Sequence, residues 1–416
     1  MLSFDAELKQ RLDSIRQQGL FRELRRVDSA QGPRLQHGGR ELINFSSNDY
    51  LGLANHPALK EAAIKSVEQF GAGSGASRLI CGSLAPHHEL EEALAAFKGT
   101  EAALTFSTGY AAALGTIPAL LSKDDVVIVD KLVHACIVDA ARLSGAKLRV
   151  FAHNDPNDLE DILKWARGNI QHPAFNIQHP RNVLVVTESV FSMDGDTAPL
   201  REIVALKEKY GAWLMVDEAH ATGLYGPNRR GLAEELAVSD RIEIQMGTLG
   251  KALGASGGYI CGSRALVDLL INRARSFIFS TAPVPAAAAA ARAGVHLVQS
   301  REGAMRCEQL WQHVQVVGDD VRSLTLNTTQ SERLLTSSPT IEAKPSAIIP
   351  VIIGHESAAV AAATKLRAQG FFVPAIRHPT VARGAARLRI TLTATHTAAD
   401  VAQLTRALSE IVNHQS

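Results

Sequence analysis

AWLMVDEAH, residues 212–220, runs from Ala212 to Val216 without a polar side chain and then turns to charge at Asp217. An unbroken apolar run, rather than an apolar–polar alternation, is what a strand buried on both faces requires. Further short runs rich in Val and Ile flank it: DDVVIVD (124–130), KLRVFAH (147–153), NVLVVTES (182–189), IEIQMGT (242–248) and GGYICGS (257–263). Amphipathic segments such as HACIVDAARLSG and LREIVALKEKYG separate several of them. This alternation predicts an α/β fold with a mostly parallel central sheet covered by helices on both faces. In such sheets ligands gather beyond the carboxyl ends of the strands, which directs attention to Asp217 and to the residues after Thr248.

From about residue 340 the pattern restarts with AIIPVIIG, a helix through KLRAQG, then FFVPAIR, RLRITLTA and a closing helix. This predicts a smaller α+β domain, joined to the first by a long helical stretch from 284 to about 325. The expected division is an N-terminal helix and arm over 1–55, a large domain over 56–295 and a small C-terminal domain over 296–416. QHPAFNIQHP (171–180) is expected to be a surface loop.

The bulk composition excludes several classes. Among 416 residues, 46% are hydrophobic and 20% charged, an ordinary soluble globular balance. Lys plus Arg is 43 against Asp plus Glu 42, so no net field recruits nucleic acid or an anionic membrane. The opening MLSFDAELKQRLDSIRQQG predicts a charged amphipathic helix rather than a signal peptide, and VPAAAAAARAGVHLV is broken by Arg292. Cys81, Cys136, Cys261 and Cys307 form no CxxC pair, which points to reduced thiols in the cytoplasm and to no metal site.

TLGKALGASGGY (248–259) surrounds Lys251 with glycine and alanine, residues that offer a buried cation no partner. A solvated turn, a phosphate loop and an amine kept for covalent chemistry are the three readings. The phosphate loop fails on spacing: Gln245 stands where a Walker motif needs its first glycine, and Ala252 where it needs Ser or Thr. The amine reading gains from VDEAH (216–220), which puts Asp217 at a strand end and His220 three residues on. A lysine for a Schiff base and an acid for a pyridinium nitrogen are what pyridoxal phosphate needs. In FSTGYAAAL (106–114) a strand turns into a helix at Gly109, beside the hydroxyls of Ser107 and Thr108, and a helix start holds a phosphate well.

Taken together the motifs resemble the α-oxoamine synthase family of fold-type I pyridoxal phosphate enzymes. The resemblance runs nearly end to end, through NFSSNDYLGLANHP (44–57), GSGASRLICGSLAPHHELE (73–91), FSTGYAAAL, DKLVHACIVDAARLSGA (130–146), VVTESVFSMDGDTAPL (185–200), VDEAHATGLYG (216–226), TLGKALGASGG, FSTAPVPA (279–286) and VPAIRHPTVARGAARLRITLTA (373–394). It implies that Lys251 carries the cofactor, Asp217 pairs with the pyridine nitrogen, His220 bonds the ring oxygen and His134 stacks on the open ring face. Gly109 and Tyr110 match the cofactor-binding turn, and Ser192 and Thr248 match cofactor-contacting hydroxyls. Ser280 and Thr281 match a segment that reaches the phosphate of a neighbouring subunit, implying a homodimer with shared sites.

On the substrate side, Asn48 and Thr380 match lining positions, Arg389 matches the arginine that holds the amino acid carboxylate, and Arg22 or Arg25 matches an arginine over the substrate. The last of the quoted stretches resembles the biotin-pathway member, which implies condensation of L-alanine with a pimeloyl thioester, on coenzyme A or acyl carrier protein, with loss of carbon dioxide. Two residues depart from the pattern: His378 stands where proline is expected, and Cys136 where serine is common. Neither is expected to touch a catalytic residue. Glycine C-acetyltransferase chemistry, transamination and a cofactor-binding regulator are the competing readings; the last would call for a basic helix-turn-helix, which the chain lacks.

Overall fold

The computed structural model describes residues 3–168, 182–326 and 346–413, so the stretch 171–180 lies outside the described residues. The helix Phe4–Gln17 opens it, capped by Ser3, whose hydroxyl accepts from the Ala6 amide, and it buries none of its side chains. Strands β1 (Arg34–His37) and β2 (Arg40–Asn44) form an antiparallel hairpin. The central sheet then collects β3 (Ala102–Phe106), β4 (Val126–Asp130), β5 (Lys147–Phe151), β6 (Val183–Glu188), β7 (Trp213–Asp217), β8 (Ile244–Thr248) and β9 (Gly258–Gly262) in the order β3-β9-β8-β7-β6-β4-β5.

Every pairing in that sheet is parallel except those of β9, which runs against both β8 and β3. The cause is chain length: the link from Thr248 to Gly258 is shorter than the dozen or so residues that a parallel crossover needs. Alternate side chains of a strand serve opposite faces. Leu214 and Val216 join the core that also holds Tyr50 and Phe191, whereas Met215 joins the one with Val127, Val129 and Ile260. Both faces are dry, as the unbroken run at 212–216 requires.

Three further strands, β10 (Ile348–Gly354), β12 (Ala375–Ile376) and β13 (Ala386–Thr391), make an antiparallel sheet in the order β10-β13-β12. FFVPAIR does not form one strand. It divides at Pro374, which has no N–H for a ladder: β11 (Phe371–Phe372) pairs with β2, and β12 pairs with β13. The N-terminal hairpin is thereby joined to the C-terminal chain. The helical stretch from 284 also divides, into Pro285–Gln299 and Arg301–Leu326, at the extended Ser300. No helix among the described residues is long and apolar enough to cross a membrane.

Beneath β7 lies a fully buried ion pair. Lys98 Nζ donates to Glu218 Oε2 at 2.6 Å and to the Arg230 carbonyl, and Glu218 Oε1 accepts from the Ala233 amide. Both side chains are 1% exposed. Truncation of one partner strands the other's charge, so Lys98→Ala should lose about 3–5 kcal/mol of stability, read as a lower urea midpoint.

Candidate active site

Strands β6, β7 and β8 end side by side, and their register sets Glu188 beside Asp217 and Asp217 beside Met246. Two carboxylates therefore meet at the carboxyl edge of the sheet. Lys251 enters the same space from the loop after β8, which is folded tightly by bonds from Leu249 N to Gly257 O and from Gly254 N to Lys251 O. Gly254 has φ +69°, and a Cβ there would lie 2.6 Å from the Leu53 carbonyl carbon. The small residues around Lys251 are thus what lets its loop lie flat against the Leu53 segment.

Burial pushes the Asp217 carboxyl up, and Lys251 opposes that shift. Burial pulls the Lys251 amine down, against the charges of Asp217 and Glu188. Burial and the neighbouring Asp217 charge push the Glu188 carboxyl up to about 8. Among the described residues the Lys251 amine makes no hydrogen bond or salt bridge. Glu188 accepts from the backbone N–H of His134, which caps the helix Ala135–Ser144. The His134 ring is exposed to the cleft, yet the protein packed around it, with Lys251 behind, holds its pKa below the usual histidine range. Cys136 stands 3.0 Å from His134 Nδ1 through its sulfur, and its amide donates to the same nitrogen. The departure at position 136 does touch a proposed catalytic residue, contrary to expectation, because the first turn of a capped helix folds residue 136 back onto its cap.

His220 is buried, which keeps it well below the usual histidine pKa and hence neutral. Its Nδ1 faces the Tyr50 hydroxyl at 2.5 Å. Burial raises Tyr50 to about 12, against the opposing charge of Arg389 nearby. The phenol therefore keeps its proton and donates it in the hydrogen bond to Nδ1 of the neutral His220. Arg389 donates through Nε to the Ser192 carbonyl (2.6 Å), through Nη1 to Thr391 (2.9 Å) and through Nη2 to Asn48 Oδ1 (3.1 Å). Asn48, Ser192, His220 and Arg389 therefore meet although the chain keeps them far apart.

The helix Gly109–Leu120 starts against Thr248. A Cβ on Gly109 would lie 2.6 Å from the Thr248 methyl, and one on Gly258 would lie 2.5 Å from Gly109 N. Thr248 Oγ1 is buried without a partner among the described residues. An orphaned hydroxyl beside a helix start whose first N–H groups have no intrahelical acceptor suits a phosphate. With the half-buried Lys251 amine and the Asp217 carboxylate alongside, the residues fit pyridoxal phosphate. Tyr110 lies at the rim and donates to Asp139.

Other expected residues lie outside this cluster. Thr281 is exposed and bridges Ser77, and Ser280 is half-buried beside it. Thr380 is exposed on the turn after Arg377. Arg22 rather than Arg25 reaches that turn, donating to the His378 carbonyl at 3.1 Å. Sequence reading missed Glu188, Tyr50 and Thr391. Glu188 obeys the strand-end rule that singled out Asp217, so a signal for it existed in NVLVVTES; for Tyr50 and Thr391 there was none.

The loop carrying Ser192 is a narrow hairpin closed by the Val190–Thr197 bridge. At its tip the Ser192 carbonyl meets Arg389, and Asp194 pairs with Arg387. At its base His153 Nε2 donates to Asp196 at 2.7 Å while Nδ1 donates to Asp130 at 2.9 Å. Burial would lower the His153 pKa, but the hydrogen bonds and charges of the two carboxylates outweigh it and raise it to about 10. A folded-state pKa above the unfolded value of 6.5 gives stability that is complete below about pH 6.5 and lost as pH rises through about 10. Thermal unfolding followed from pH 6.5 to 10 should show this decline, and His153→Gln should remove that component of it.

The sequence profile described as aminotransferase class I and II matches residues 40–408. The 8-amino-7-oxononanoate synthase of Geobacter sulfurreducens is 47% identical over 400 residues, 96% of each chain. That of Anaeromyxobacter sp. Fw109-5 is 48% identical over 401 residues, 96% of this chain and 94% of that one. Among solved structures, a PLP-bound serine palmitoyltransferase of S. paucimobilis superposes with a TM-score of 0.86 at 27% identity, over 98% and 97% of the two chains. The 8-amino-7-oxononanoate synthase of Francisella tularensis gives 0.72 at 26% identity, over 90% of this chain and 98% of that one.

Proposed function

We propose, because the chain belongs to the class I and II aminotransferase family and within it to the 8-amino-7-oxononanoate synthases, that it joins L-alanine to a pimeloyl thioester. The products are 8-amino-7-oxononanoate, carbon dioxide and the free thiol, and the cofactor is pyridoxal phosphate. The observation that carries this reading is the convergence of the Lys251 amine with the buried guanidinium of Arg389, which stands close enough for its charge to help hold the amine's pKa down. One group suits a covalent bond to a carbonyl, the other a carboxylate.

Pyridoxal phosphate, when bound, supplies an aldehyde for the amine and a ring that takes up the electron pair released at the amino acid's α-carbon. The Gly109 helix start and Thr248 would hold its phosphate, and Asp217 would keep a negative charge at its ring nitrogen, favouring the protonated form. Neutral His220, its Nδ1 occupied by Tyr50, presents Nε2–H to an oxygen in the site. His134 covers the cleft from the solvent side. Arg389 binds the substrate carboxylate and so orients the Cα–H bond. The Lys251 amine would take that proton, because burial lowers its pKa and brings its neutral form within reach.

We further propose a cytoplasmic homodimer. Supporting it, Leu79, Ile80 and Phe279 are 50%, 79% and 70% exposed beside the Ser77–Thr281 bridge, an apolar surface of the kind that a second subunit covers.

The test is to supply cofactor-loaded protein with L-alanine and pimeloyl-CoA and to follow thiol and carbon dioxide together. Equal release of both, dependent on alanine, is the expected result. Pyruvate from alanine without thiol would mean transamination instead, and thiol release only with glycine and acetyl-CoA would make it a glycine C-acetyltransferase.

A further inference from the structure

His153 lies outside the cluster that would touch substrate, yet it is bonded at both ends. Its Nδ1 is anchored to Asp130, a 1%-exposed carboxylate at the end of β4 that also accepts from the amides of Leu132 and Asn154. The other nitrogen grips Asp196, on one leg of the hairpin, at 2.7 Å. The ring meets Phe191, on the other leg, edge-on at 4.4 Å between centroids. The neighbouring Asn154 adds bonds from its side-chain amide to Asp196 Oδ2 (2.8 Å) and the Thr197 carbonyl (3.2 Å). Both legs of the hairpin are thus bolted to the central sheet at one point.

What the bolt holds is the far end. The hairpin tip is the docking surface of β13: Ser192 O takes Arg389 Nε, while Met193 O and the Asp194 carboxylate take Arg387. Gly195 sits so close to β10 that a Cβ would lie 2.3 Å from Ile348 O. A tip pressed against one sheet and bolted to another transmits the position of its base, because neither end can slide without breaking charged hydrogen bonds. Of the two β13 arginines, Arg389 is the one at the active site.

We propose that His153 is a positioning residue: by clamping Asp196 to Asp130 it sets the hairpin tip against which the Arg389 guanidinium is aimed, and through it the enzyme's hold on the substrate carboxylate. This rests on the reading of Arg389 as the carboxylate-binding group.

The experiment compares two probes on cofactor-loaded protein. L-Alanine carries the carboxylate and ethylamine lacks it, and each dissociation constant is read from the change in cofactor absorbance. Wild type should bind alanine much more tightly than ethylamine; equal affinities would remove Arg389 from that role and the parent reading with it. If wild type does discriminate, His153→Gln should weaken alanine roughly 3- to 30-fold, the scale of a coupling carried through packed networks, with ethylamine unchanged. Asp196→Asn, which keeps the hairpin's shape, should give the same selective loss, and the double variant no more than either alone. A lowered melting temperature with alanine affinity intact in both variants would make His153 merely structural and overturn the proposal. Losses that fall equally on alanine and ethylamine, or that add in the double variant, would overturn it too.

Discussion

Lys251→Ala will release no thiol from pimeloyl-CoA above background, and it will lose the visible absorbance of cofactor bonded to the protein. The loss in kcat should be roughly 10⁴-fold or more, the scale at which removal of the central member of a catalytic unit operates. The reason lies in the geometry of the cleft. Among the described residues, Lys251 is the amine that faces Asp217 and Glu188 at the sheet edge, and no hydrogen bond holds it away from a ligand. Lys251→Arg separates charge from nucleophilicity: it restores a cation beside Asp217 but cannot form a Schiff base or give up its proton near neutrality. It should be as inactive as the alanine variant. Both proteins should keep the wild-type circular dichroism spectrum. Wild-type rates in either would remove Lys251 from the chemistry.

Arg389→Lys is the second large effect. Three partners aim the guanidinium, at Ser192 O, Thr391 Oγ1 and Asn48 Oδ1, and a lysine ammonium on a shorter, unforked stem cannot meet all three and a carboxylate as well. Charge-assisted hydrogen bonds contribute about 1.5–3 kcal/mol each, so KM for L-alanine should rise by about 10- to 150-fold. KM for the acyl thioester should stay within about twofold, since the lost contact belongs to the amino acid. Steady-state kinetics with each substrate varied in turn would measure this. An unchanged alanine KM would place the carboxylate elsewhere.

The fold class was legible because strand periodicity is local. Runs such as AWLMVDEAH announce burial on both faces, and the structure buries Leu214 and Met215 on opposite ones. Asp217, His220 and Lys251 were legible for a related reason: polar residues that close an apolar strand must face the sheet edge. Glu188 met the same criterion in NVLVVTES, and it was the pairing with Asp217 across β6 and β7 that gave it weight. The antiparallel course of β9 follows from a link too short to cross over. The splitting of FFVPAIR at Pro374 follows from one missing N–H. Both causes are present in the residues, but their consequences depend on which strands lie within reach.

Residue order alone was enough to specify an α/β sheet, its carboxyl edge and an amine and an acid waiting there, because each of these follows from patterns within a few residues. Folding supplied the partnerships. Tyr50 finds His220 across 170 positions, Arg389 finds Ser192 across 197 and Asn48 across 341, and His153 bolts a hairpin whose tip aims that arginine. Such contacts are set by register and by the packing of one sheet against another, and no local period encodes them.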